Sequence, residues 1–89
     1  MSNVFIAFQR NEETRSIVDA IMADNPNAVA NFQPAMVKID APDTLVIHRS
    51  SVEAQMGRPF DLQELHINLI TLTGHIDETE DDFTLSWKH

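Results

Sequence analysis

Four histidines, His48, His66, His75 and His89, are the side chains in this sequence best suited to metal ligation or proton transfer. None stands in a His-x-His, His-x-x-x-His or Glu-x-x-His spacing, so no two ligands would meet on one helical turn or strand face. Glu64 and His66 lie two apart and would share a face of a strand, which is thin ground for a site; structural histidines are the simpler reading. His89 is terminal and expected in solvent. Ser50 and Ser51 precede Val52-Glu53 in the pattern of a capping box, which accounts for them without a nucleophile. There is no Gly-x-Ser-x-Gly elbow, phosphate loop or dinucleotide fingerprint.

The other concentration of reactive groups is Asp77-Glu78-Thr79-Glu80-Asp81-Asp82. As a calcium loop it lacks the EF-hand glycine, the ligand spacing and the flanking helices. A solvated loop that discourages strand-edge pairing is the simpler expectation, with an electrostatic docking patch as the alternative. Phe83 and Trp87 read as core. Phe60 reads as core or an exposed anchor. Phe32, Met36 and Met56, near turns, read as core first and adaptable binding surface second.

Eighty-nine residues with 43% hydrophobic and 22% charged side chains suit one globular domain, with a split near Pro42 into two subdomains as the alternative. A chain this short buries roughly 60% of its unfolded surface. The absence of cysteine excludes disulfides, thiolate chemistry and cysteine-ligated metal. Six basic against 14 acidic side chains give −8, which argues against nucleic acid and anionic membranes as partners. Residues 77–82 carry −5, residues 1–76 only −4, and residues 83–89 +1, so the excess is local. No apolar run approaches the ~20 residues of a membrane span. The N-terminus has no basic or signal-length apolar segment, so a cytoplasmic protein is expected.

The elements that must position these residues follow from periodicity. Asn3 to Gln9 is apolar in both alternating sets, a strand expected to be buried on both faces. Asn11 caps a helix that starts with Glu12 and Glu13 and ends near Asp24, before Asn25-Pro26-Asn27. Ala28–Gln33, Ala35–Asp40 and Thr44–Arg49 read as strands, the last two joined into a hairpin by Ala41-Pro42-Asp43. A short helix ends at Gly57, and Asp61-Leu62-Gln63-Glu64 is a second capped turn. His66–Thr73 and Phe83–Trp87 read as strands flanking the acidic loop. The order β-α-β-β-β-α-α-β-β predicts an α+β domain: a two-layer sandwich with helices on one face of a mostly antiparallel sheet.

Several strings carry a family resemblance: Asn3-Val-Phe-Ile-Ala-Phe8, Asp24-Asn25-Pro26, Gln33-Pro34-Ala35-Met36 and Gly57-Arg58-Pro59-Phe60-Asp61-Leu62-Gln63. With them the chain resembles the small regulatory (coupling, or effector) proteins of bacterial multicomponent monooxygenases, and most of all the regulatory component of phenol hydroxylase. The resemblance runs over nearly the whole chain, to the Leu85-Ser86-Trp87 ending. It implies a small α+β sandwich that carries no metal or prosthetic group. It further implies binding to a hydroxylase whose four-helix bundle holds a di-iron centre, with flavin and Fe–S groups on other components. An allosteric effect on oxygen activation and phenol hydroxylation to catechol is implied, together with competition with the reductase at excess. The residues in these segments that local structure leaves unexplained are the expected hydroxylase contacts: Asn25, Asn27, Phe32, Gln33, Gln55, Met56, Arg58, Phe60 and Gln63. On residues alone, a freestanding α+β ligand-binding domain is the competing reading, and a small histidine enzyme a poorer one.

Overall fold

A computed structural model describes residues 3–87, so the expectation for His89 lies outside the described residues. The elements are β1 (Asn3–Gln9), α1 (Glu12–Asp24), β2 (Val29–Phe32), β3 (Met36–Pro42), β4 (Thr44–His48), α2 (Arg49–Met56), a 3-10 turn (Leu62–Glu64), α3 (Leu65–Asn68), β5 (Leu69–Thr73), β6 (His75–Glu78) and β7 (Asp82–Ser86). They form two antiparallel sheets, ordered β2-β3-β1-β5 and β4-β7-β6. The class is α+β, as expected, but the predicted single sheet is two.

β1 forms the middle of the first sheet because its side chains can be buried there. Val4, Ile6 and Phe8 oppose Ala41, Ile39 and Val37 of β3, and all six are buried. The other face of β1 is less covered than the sequence suggests. Ala7 is buried, but Phe5 is half-buried under the Lys38 ammonium, 4.4 Å from its ring centroid. The core continues into the second sheet, where Leu45 opposes Leu85 and Ile47 opposes Phe83. Each of these side chains is fully enclosed, a burial worth about 1.5–3 kcal/mol apiece.

The expected β3–β4 hairpin does not form. Both edges of β3 are taken by β1 and β2, and Asp43, at φ 65°, turns the chain out of the first sheet into the second. β4 pairs with β7 instead. A matching corner at Gly74, φ 130°, passes the chain from β5 to β6. The turn signal at Ala41-Pro42-Asp43 is real; it makes a corner between sheets.

α1 begins where Asn11 accepts a bond from the Thr14 amide (2.9 Å), and Asn11 also donates to the Asn68 side chain (2.9 Å), tying the helix start to the end of α3. At the other end Asn25 donates to Ile21 O (2.8 Å) and Val46 O (2.7 Å) and accepts from Val46 N (3.0 Å). One side chain thus closes α1 and fixes β4 beside it.

Four further expectations need correction. The capping box at Ser50 is absent: His48 occupies the N-cap without a side-chain bond, and Glu53 accepts from Phe60 N (2.8 Å), drawing the following loop onto α2. The strand over His66–Thr73 starts only at Leu69, because the capping box of Asp61 and Glu64 launches a helical turn. That turn buries Leu62, Leu65 and Asn68 at a spacing of three and leaves Ile67 exposed. The acidic run is a β6–β7 hairpin and not a free loop. Thr79 Oγ1 accepts from Asp82 N (3.0 Å) at its turn, and the carboxylates meet side chains from other elements: Asp82 with His48 (2.6 Å), Asp81 with Arg49 (2.7 Å) and Glu78 with His66 (3.4 Å). Trp87 lies beyond β7, partly exposed, and its indole donates to Asn3 O (2.7 Å); the core role holds for Phe83 alone.

Asn25→Ala removes three bonds at a half-buried junction and is expected to cost about 2 kcal/mol, roughly 8–16 °C in Tm; thermal melts check it. Gly74→Ala puts a Cβ 3.0 Å from Val4 Cγ1 and 3.2 Å from Leu85 at a positive φ, whereas a Cβ at Gly57 meets nothing within 4 Å. Gly74→Ala is therefore expected to cost about 2–4 kcal/mol and Gly57→Ala about 1 kcal/mol, measured side by side in denaturant titrations.

Candidate functional site

The nine residues expected at an interface separate into three kinds of position. Asn25 and Phe60 are structural: the first has its side-chain oxygen and amide engaged with Ile21 and Val46, and the second is buried in the core. Met56 is half-buried against the core. Asn27, Phe32, Gln33, Gln55, Arg58 and Gln63 are exposed. Arg58 leans on Glu64 at 3.9 Å and donates to Pro59 O. The fold does not bring all nine onto one surface feature: Phe32 lines one groove, Phe60 and Gln63 line another, and the other six line neither.

The first groove, of about 780 Å³, lies between α1 and the edge of the first sheet. Thr14, Arg15 and Val18 supply one wall, and Phe32, Pro34 and Val37 the other. Its geometry follows from strand register. Phe8 of β1 opposes Val37 of β3, which opposes Phe32 of β2. Cross-strand partners share a face, so this row starts in the core and ends at the surface. Phe8 and Val37 are buried, whereas Phe32, on an edge strand, is 60% exposed. The Arg10 guanidinium carbon lies 5.5 Å from the Phe32 ring centroid, and the same side chain donates to Gln33 O (3.1 Å). Stacking and hydrogen bond together hold the ring and the cation as a unit.

The second groove, of about 980 Å³, runs between the 57–64 segment and the acidic hairpin. Phe60, Leu62 and Gln63 line it with Glu53, Glu64 and Glu80. Most of its carboxylates are occupied by the fold. Glu53 accepts from Phe60 N, Glu64 from Asp61 N and Asp61 from Gln63 N, and Glu78 meets His66. Glu64 and His66, two apart in sequence, face different partners, so the pair considered from spacing does not form.

His48 and His66 are thus placed as carboxylate partners within the scaffold. Among the described residues no three His, Asp or Glu side chains come together as a metal site. Among them, too, no helix is long and apolar enough to cross a membrane.

Sequence reasoning missed several exposed apolar residues. Val29 joins Phe32 on β2, Ile67 and Ile70 bracket the start of β5, and Ile76 lies on β6. Every one of these strands is a sheet edge. Ile70 stands where the β1–β5 register slips, with Ala7 opposite Thr71 and Phe8 opposite Leu69, so it is the bulged residue. No local pattern marks an edge strand or a bulge, so composition alone could not have found them. The surface offers apolar anchors and cations for binding a partner.

Comparison with known proteins fits that reading. The chain is 47% identical over 88 residues to the phenol 2-monooxygenase stimulatory component DmpM of Pseudomonas sp. (strain CF600), covering 99% of this chain and 98% of that protein. It superposes with a TM-score of 0.93 and 45% identity on a chain of a phenol hydroxylase–regulatory protein complex, covering 98% of this chain and all of the other. The soluble methane monooxygenase regulatory protein B shares the fold at 14% identity, with a TM-score of 0.77 over 97% of this chain and 65% of its own. The MmoB/DmpM family model matches residues 2–86. The chain belongs to the MmoB/DmpM family.

Proposed function

We propose that this protein is the non-catalytic regulatory component of a multicomponent phenol hydroxylase. It binds the di-iron hydroxylase and promotes oxygen activation and the hydroxylation of phenol to catechol. The observation that carries this is the near-complete correspondence, in sequence and backbone, with the regulatory chain of a phenol hydroxylase complex. The di-iron centre, the flavin and the Fe–S group are assigned to the partner components, and the assembly to the cytoplasm.

The mechanism is a difference in affinity. A protein that binds one arrangement of its partner better than another shifts the partner toward that arrangement, by no more than the difference. Such coupling is typically ~1–3 kcal/mol and is reciprocal between ligands. For this chain the contribution is a rigid two-sheet body that presents apolar side chains at its sheet edges. In excess, the chain occupies the area where the reductase docks and lowers the rate again.

Titrating the chain into hydroxylase, reductase, NADH and phenol is expected to raise catechol formation per NADH consumed, then lower the rate at large excess. The chain alone turns over neither substrate. A flat response in both rate and coupling across the titration refutes the proposal.

A further inference from the structure

Positive charge is scarce on this chain, and three of the five Lys and Arg side chains among the described residues are spent within the fold. Lys38 lies 3.7 Å from Asp40, Arg49 2.7 Å from Asp81, and Arg58 3.9 Å from Glu64. Arg10 and Arg15 have no carboxylate oxygen within 4.0 Å among the described residues. Both line the groove between α1 and β2. Glu12 and Asp19 line it as well, yet neither closes on a guanidinium. One Arg10 donor is bonded to Gln33 O, and a guanidinium has five.

The same groove holds the open end of the core row. Phe32 extends the buried pair Phe8–Val37 to the surface. β2 pairs only with β3, so its outer edge also carries free main-chain groups among the described strands. An exposed aromatic stacked with an arginine has the chemistry of an interface anchor.

We infer that this groove receives a segment of the hydroxylase surface that presents an apolar side chain beside an Asp or Glu carboxylate. The apolar side chain packs on Phe32 and Val37, and the carboxylate bridges Arg10 and Arg15. The charge is assigned by complementarity: a carboxylate is the partner these two guanidiniums lack within the fold. A basic segment would be drawn to the acidic hairpin at residues 77–82 instead. The inference rests on the regulatory reading above and names the face that serves it.

The test is a stimulation titration with complete hydroxylase and reductase, run at low and high salt, comparing the unmutated chain with Phe32→Ala and with the double variant Arg10→Gln/Arg15→Gln. Phe32→Ala is expected to raise the half-stimulating concentration about tenfold with the plateau retained, the size of an interface anchor's loss. The arginine variant is expected to raise it severalfold at low salt and less at high salt, because screening already weakens the contact in the unmutated chain. Direct binding to the hydroxylase should give the same ranking, with melting curves near that of the unmutated chain because all three side chains are exposed. If both variants titrate like the unmutated chain, or if only Ile67→Ser and Ile70→Ser weaken it, the groove assignment is overturned and the regulatory reading stands. If the unmutated chain stimulates nothing, both readings fall together.

Discussion

Two single-residue corners govern this structure. Asp43 at φ 65° and Gly74 at φ 130° each pass the chain from the first sheet to the second. At Gly74 the backbone runs so close to Val4 and Leu85 that a Cβ would sit 3.0–3.2 Å from their side chains. Val4 belongs to one sheet and Leu85 to the other, so the corner lies where the two sheets meet. β1 touches both β4 and β7, and β3 touches β4. The result is one hydrophobic cluster, from Val4 through Ile47 to Leu85, shared by both sheets and the helices. Extended strands on either side of each corner serve both layers, an economical way for a chain of 89 residues to close a core.

That arrangement has a consequence at the periphery. Open sheets leave edge strands, and β2, β5, β4 and β6 are edges here. Core rows run out onto β2 and β6: Phe8–Val37–Phe32 in one sheet, and Leu45–Leu85–Ile76 in the other. Phe32 and Ile76, where these rows end on β2 and β6, are exposed, whereas Leu45 on β4 stays buried. A protein whose work is to recognise a larger partner can therefore draw its anchors from its own core pattern, held in place by buried neighbours. Anchors positioned this way lose little freedom on docking, which favours affinity per contact.

Charge is arranged with the same division. The acidic hairpin would repel itself if left alone, but His48, Arg49 and His66 approach three of its carboxylates from β4, α2 and α3. These pairs are exposed enough that each contributes about 0–1 kcal/mol, so their effect is chiefly to fix the hairpin's direction. The two guanidiniums left over face the opposite task, at the α1–β2 groove.

The local elements follow from short-range pattern alone. Asn11 as an N-cap, Gly57 as a left-handed C-cap, the Asp61–Glu64 capping box and the apolar alternation of β1 all act over a few residues, and all occur where the pattern places them. The family, too, is legible in the sequence, through resemblance. Which strands pair is settled by the folded chain. A hairpin at Ala41-Pro42-Asp43 and a corner there use the same turn residues and bury the same Leu45 and Ile47, so the choice rests on which edges are already occupied. Asn25 looked like a surface residue because its partners on β4 are 21 residues away, and Phe32 looked like core because nothing local reveals that β2 is an edge. The stacking of Arg10 on Phe32 and the meeting of His48 with Asp82 are likewise products of chain return. Local propensity is decided within a turn or two of chain, whereas exposure and pairing depend on the whole set of strands competing to bury their apolar faces.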